Sequence, residues 1–314
     1  MSIERLDYDG DIRPVLERVC DAYQLGKLEA YELIEVGFED YNVKIHASKG
    51  NVVAKIFSKQ RDEAEIRRNV AILEALDSSD VGHPRLHHQS NGEIYYADPS
   101  GLGMVVMDYI DGTTFYETRG VPTPQQLKLI ASEAVKINKL KIEPEFIFDK
   151  WAIPNIHWMY EKIKSEIPAN MVDILENVLK RYDKIDTKML PTCFVHGDII
   201  KTNVIMGEDD KPYIIDFSVS NIYPKIQEVA VMAANLLADD STTLESRVKA
   251  SIAAYINAGG ELNDYEQGVA YDYSLAGVAI EYMGSIYERI YNNEEGDEVD
   301  YWQSLAEHTL IEAV

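Results

Sequence analysis

Asp198 stands in the segment Phe194-Val-His-Gly-Asp-Ile-Ile-Lys-Thr-Asn203, and Asp216 stands in Ile214-Ile-Asp-Phe-Ser218. Asn203 follows Asp198 by five positions, and Asp216 follows Asn203 by thirteen. A carboxylate can orient a hydroxyl nucleophile, while an amide oxygen and a second carboxylate are hard donors suited to Mg²⁺. Together these are the groups that phosphoryl transfer from a nucleotide needs, with Asp198 as base or hydroxyl-orienting group and Asn203 and Asp216 as metal ligands. Each metal candidate adjoins an apolar β-like run, Val204-Ile205 or Tyr213-Ile214-Ile215, which places it at a strand end. His196 reads as a support of the loop, because Asp198 already fills the role of base. Lys201 is open between reaching a phosphate and facing solvent.

The elements that must position these residues are readable from periodicity. Apolar spacing at Ile12, Val15, Leu16, Val19 and Tyr23 predicts a helix over 12–25. Leu28 to Phe38 and Asn42 to Ala47 read as strands around a turn, and Asn51 to Phe57 as a third after Lys49-Gly50-Asn51. A helix over 61–77 carries Ile66, Val70, Leu73 and Leu76 on one face, and strands are predicted over 93–97 and 103–109. Beyond Asp111-Gly112 the pattern turns helical, near 123–141, 155–166, 170–186, 224–238, 243–258, 264–292 and 298–312. The β-rich piece at 193–217, which carries the three candidates, interrupts it.

Composition bounds the partners. A chain of 314 residues is long enough for two lobes, each with its own core. Only Cys20 and Cys193 are present, so neither a disulfide framework nor structural zinc is expected. The N-terminal residues lack the organisation of a secretory signal and no long apolar run suggests a membrane span, which makes the cytoplasm the expected location. A formal charge of −24 argues against nucleic acid and anionic membrane as partners, and long-range attraction would favour a cationic small molecule. The same acidity also serves solubility.

The order H-x-D-x-x-x-x-N followed by D-F-x resembles the catalytic core of protein kinases. With Gly197 in place of Arg and Ser218 in place of Gly, it is more similar to the aminoglycoside phosphotransferase and choline kinase group of small-molecule kinases. The resemblance covers residues 30–240 and implies an α+β, protein-kinase-like fold of two lobes. The expected division is a small β-rich nucleotide-binding lobe over 1–110 and a larger, mostly helical lobe over 111–314 with catalytic loop and acceptor site. It implies ATP or GTP as phosphoryl donor and Mg²⁺ as cofactor. Lys55, in Val-Val-Ala-Lys-Ile-Phe, looks like the third-strand lysine on the α- and β-phosphates. The position of that lysine's usual Glu partner is held by Asn69, and Glu65, one turn earlier, is the substitute candidate. Gly37 and Asn42 belong to the expected phosphate-covering loop. Met107, Asp108 and Ile110 belong to the expected hinge, with backbone groups of Asp108 and Ile110 on the purine and Met107 lining its pocket.

The expected activity is transfer of a γ-phosphoryl group to a hydroxyl of a small acceptor, as in an aminoglycoside phosphotransferase. Choline, homoserine and sugar kinases share the motifs, and a nucleotide-binding pseudokinase is the alternative from another class. His83, His87 and His88 read as a loop cluster without metal. The acidic run at 293–300 is either a solvated turn or a receiver of a cationic acceptor. The tyrosines at 271, 273, 282, 287 and 291 are either core or an aromatic cage for such a cation.

Overall fold

The computed structural model describes residues 8–34, 40–294 and 296–313. In chain order it runs α1 (Arg13–Ala22), β1 (Leu28–Ile34), β2 (Tyr41–Ala47), β3 (Gly50–Ile56) and α2 (Glu63–Asp77). Next come β4 (Tyr95–Ala97), β5 (Gly103–Asp108), β6 (Gly112–Thr114), α3 (Pro124–Lys139), α4 (Ile156–Ile163) and α5 (Ala169–Tyr182). The short strands β7 (Thr192–Val195), β8 (Val204–Gly207), β9 (Pro212–Ile214) and β10 (Asn221–Pro224) follow. The chain continues through α6 (Ile226–Val231), α7 (Leu244–Asn257), α8 (Asp264–Tyr291) and α9 (Asp297–Ala313). Two compact units divide it: Met1–Gly112 with Gly207–Phe217, and Thr113–Met206 with Ser218–Val314.

The first unit is built on an antiparallel sheet of order β1-β2-β3-β5-β4. Alternation decides its two faces. Val43, Ile45 and Ala47 of β2 and Val52, Ala54 and Ile56 of β3 are buried, and they cluster with Val15, Leu16 and Val19 of α1. Each buried Val, Leu or Ile of this set contributes about 1.5–3 kcal/mol, and the alanines less. The pleat therefore turns Lys55, between Ala54 and Ile56, to the opposite face. Asn42 and Val105 flank Lys55 in the ladder and Met107 pairs with Val53, so Asn42, Lys55 and Met107 share that face. Helix α2 begins with a capping box, in which the Asp62 side chain accepts from the Glu65 amide and the Glu65 side chain accepts from the Asp62 amide.

The second unit is mainly helical. Thr123 with Gln126, and Asn263 with Glu266, form the capping boxes of α3 and α8. Helix α8 spans 28 residues and is buried along most of its length. At Gly284 an added Cβ would come within 2.0 Å of the Trp151 ring, so only Gly permits this approach. Strand β7 pairs antiparallel with β10, matching Val195 to Asn221 and Phe194 to Ile222. That pairing fixes the backbone entering the segment that starts at His196. The antiparallel sheet and the helical remainder agree with the periodicity. The three-residue β6 and four-residue β10 have no alternation long enough to announce them. Among the described residues no helix is long and apolar enough to cross a membrane.

Candidate active site

In the first unit, Lys55 and Asp216 are brought together. The Lys55 ammonium lies 2.7 Å from Asp216 Oδ1 and 3.3 Å from Asp40 Oδ2. Burial alone would push the Lys55 ammonium down, but Asp216 and then Asp40 outweigh it, and the net direction is upward. Lys55 is therefore a cation throughout the neutral range. Asp40 is itself gripped by the Arg61 guanidinium at 2.8 and 3.0 Å and by the Ser58 amide at 3.1 Å. Asp216 sits at φ 62°, in the left-handed region, and its carboxylate side chain stays 46% exposed. A non-glycine residue held there is a local strain of the kind that collects at functional positions. The expectation that Glu65 partners Lys55 is corrected. Glu65 is the third residue of α2 and is bound into the capping box, while Lys55 finds its carboxylates on Asp216 and Asp40. Asn69, at the position of the usual Glu, is buried, and its Nδ2 has no hydrogen-bond partner among the described residues.

In the second unit the loop from His196 to Asn203 is held from several sides. Asn203 Nδ2 donates to Asp198 Oδ2 at 2.7 Å and to the Asp198 carbonyl at 3.1 Å. This ties the candidate base to the candidate metal ligand and leaves Asn203 Oδ1 as the face able to take a cation. The Asp198 amide donates to His196 Nδ1 at 3.1 Å, so that ring nitrogen serves inside the loop as an acceptor. Gly197 has φ +82°, which a larger residue would adopt only with strain, and a Cβ there would meet Gln227 Nε2 at 3.3 Å. Beneath the loop lies Glu228, fully buried on α6. Its carboxyl accepts from the amides of His196 and Gly197 and from Asn138 Nδ2. Asn138 in turn donates to the Phe194 carbonyl and accepts from the Tyr255 hydroxyl at 2.7 Å. Glu228 gave no sequence signal beyond its place on a predicted helix.

Burial pushes the Glu228 carboxyl up from 4.5 to about 7, against the hydrogen bonds of His196, Gly197 and Asn138, which lower it. A raised folded-state value means that the native protein holds more protons than the unfolded chain between pH 4.5 and 7. The stability this supplies is fully present below 4.5 and lost as pH rises through about 7. Glu228→Gln removes that ionisation. The stability advantage of the parent over this variant is expected to shrink by about 3 kcal/mol across the window, as urea unfolding at both ends would measure. An advantage independent of pH would show that the Glu228 carboxyl titrates alike in the folded and the unfolded chain.

Lys201 neither faces solvent nor stands ready for a phosphate. It is 1% exposed, and its ammonium donates to the Ala238 carbonyl at 2.7 Å and to the Tyr301 hydroxyl at 2.9 Å. Its amide donates to Asn235 Oδ1 at 3.1 Å, and its carbonyl accepts from the Tyr116 amide at 3.1 Å. Asn235 lies in the π-helical turn Met232–Leu236 that continues α6. Burial pushes the Lys201 ammonium down to about 8. Arg119 packs between the Tyr116 and Tyr301 rings, 4.0 and 4.1 Å from their centroids.

Of the remaining predicted residues, Gly37 lies outside the described residues. Asn42 lies on β2, opposite Lys55. Met107 is half-buried on β5, and Ile110 lies two residues beyond that strand's end. The Asp108 amide donates to the Arg85 carbonyl at 2.9 Å, and its carboxylate meets His87 Nε2 at 2.8 Å. In this structure that amide is engaged within its own unit. Tyr273 and Tyr282 are fully buried core. Tyr287 and Tyr291 instead stack at 4.5 Å, with Lys150 over the Tyr287 ring at 5.1 Å.

Among the described residues no group of three or more His, Cys, Asp or Glu side chains is arranged to hold a metal. Magnesium does not require one, since it keeps water and phosphate oxygens in its shell and needs only one or two protein donors. Asn203 Oδ1 and the exposed Asp216 carboxylate are hard oxygen donors of that kind.

Comparison with known proteins gives a consistent result. The family described as "Phosphotransferase enzyme family" matches residues 30–268. A homoserine kinase of Rhodopseudomonas palustris (strain HaA2) is 22% identical over 251 residues, spanning 78% of this chain and 75% of that protein. A spectinomycin phosphotransferase, solved with ADP and spectinomycin, superposes with a TM-score of 0.66 at 14% identity, covering 96% of this chain and 98% of the other. The choline kinase of Streptococcus pneumoniae gives a TM-score of 0.66 at 14% identity, covering 96% and 99%. These structures share the protein-kinase-like fold with this chain.

Proposed function

The chain belongs to the phosphotransferase enzyme family, and from that premise we propose that it transfers the γ-phosphoryl group of ATP or GTP to a hydroxyl of a small, cationic acceptor in the cytoplasm. The observation that carries this reading is the Asp198–Asn203 contact at 2.7 Å, in a loop pinned by Glu228. The hydroxyl oxygen forms the new bond to phosphorus as the bond from phosphorus to the β-phosphate oxygen breaks. Nucleoside diphosphate leaves, and the hydroxyl proton passes to the Asp198 carboxylate. Asp198 contributes mainly by alignment, because the transition state is loose. Lys55 neutralises charge on the α- and β-phosphates. Asn203 and Asp216 are the donors for Mg²⁺, which when bound offsets negative charge developing on the phosphate oxygens.

The net charge of −24 supports a cationic acceptor. Homoserine, choline and spectinomycin, named for the relatives, each offer a hydroxyl and an amine or ammonium group. The test measures nucleoside diphosphate release with Mg²⁺ across homoserine, choline, ethanolamine, aminoglycosides and simple sugars. Acceptor-dependent release is expected, with amine-bearing acceptors preferred. Nucleotide binding without release on every acceptor would instead mark a pseudokinase.

A further inference from the structure

A cavity of about 800 Å³ opens in the second unit between α3 and α7. Neither Asp198 nor Asn203 lines it, and its volume falls within the range of small-molecule sites. Its walls are largely apolar, including Pro122, Leu127 and Leu237. Its charged lining residues are Lys128, Arg247 and Asp239, which together carry one net positive charge. Asp239 is already engaged, its Oδ1 accepting from the Ser241 amide and hydroxyl and from the Thr242 hydroxyl.

Arg247 is the unusual member. It is 3% exposed, and among the described residues only Nη2 has a hydrogen-bond partner, the Thr309 hydroxyl at 3.0 Å. Nε and Nη1 are buried without a hydrogen-bond acceptor among the described residues. A guanidinium cannot discard its proton to escape this arrangement, so it calls for an acceptor-only group. Lys128, exposed at the cavity, likewise has no ion-pair partner among the described residues.

We propose that this cavity is a binding site for a small monocarboxylate with an apolar body, the carboxylate meeting Arg247 and the body lying along Pro122, Leu127 and Leu237. One negative charge matches the single net positive charge of the lining, and phosphate, unlike such a carboxylate, has no apolar body to lie along its walls. The acidity of the whole chain would deter an anion at long range, but salt screens that field beyond about 8 Å, and the local cations then decide. The site is independent of the phosphoryl-transfer reading.

The test titrates the full chain calorimetrically with straight-chain monocarboxylates of about four to ten carbons, a range scaled to such a cavity. The matching alcohols and inorganic phosphate are the controls. Saturable binding of one carboxylate per chain is expected, with the alcohol of equal length and phosphate each weaker by about tenfold or more. Arg247→Gln and Ala250→Trp are each expected to weaken carboxylate binding by a similar factor. Ala250 is exposed on α7 and lines the cavity, so this variant decides the matter even if Arg247→Gln does not fold. The proposal is overturned if no carboxylate saturates, if alcohol or phosphate binds as tightly, or if Ala250→Trp leaves the affinity unchanged.

Discussion

With Asp198 replaced by Ala, single-turnover phosphoryl transfer is expected to slow by about 100- to 10,000-fold, the range of a lost acid–base or orienting group. Nucleotide affinity is expected to change by less than about threefold, because the interaction removed is one made with the acceptor. The loop should survive the change. Asn203 Nδ2 retains its 3.1 Å bond to the Asp198 carbonyl, and Glu228 still holds the amides of His196 and Gly197. Asp198→Asn is the stricter version, since it preserves shape and removes only the charge. Rapid-quench measurement of the chemical step, beside calorimetry with a non-hydrolysable nucleotide, separates the two effects. A large loss of nucleotide affinity with an unchanged chemical step would falsify the assignment.

Asp216→Asn is expected to act in the reverse sense, weakening Mg²⁺-nucleotide binding by more than the about 10–100-fold typical of an outer-shell metal partner. Two losses combine here. A hard anionic donor becomes a neutral amide, and Lys55 loses the charge of its 2.7 Å partner, keeping Asp40 at 3.3 Å. The Lys55 ammonium, already disfavoured by burial, would then shift downward. Calorimetry at graded Mg²⁺ concentration measures the change. Tight, Mg²⁺-independent nucleotide binding by this variant would remove Asp216 from the metal role.

Much of this architecture could be read from residue order, and the exceptions have a common physical origin. Period-two alternation located β2 and β3, and a 3.6-residue repeat located α2 and α8. The spacing of Asp198 and Asn203 suits a loop that folds back on itself, and that is the contact found. What remained illegible depends on residues distant in sequence. Asp40 reaches Lys55 from the segment entering β2, and Glu228 reaches His196 from 32 positions downstream. Glu65 shows how a local signal can be read for the wrong purpose. Asp62-x-x-Glu65 is a capping-box pattern in plain view, and that local bond places the carboxylate at the helix start. Lys201 gave no sign of burial, because an isolated lysine in a polar loop is ordinarily solvated.

The anchoring of Lys201 also orders events in time during synthesis. The hydroxyl that receives its ammonium belongs to Tyr301, 100 positions later on α9. A ribosome that has just released the loop at 196–203 has produced a segment whose holder does not yet exist. Closing so long a connection is entropically uphill until α9 has packed. The nascent chain can therefore build the β1–β5 core of its first unit before the Tyr301 anchor of this loop has been made.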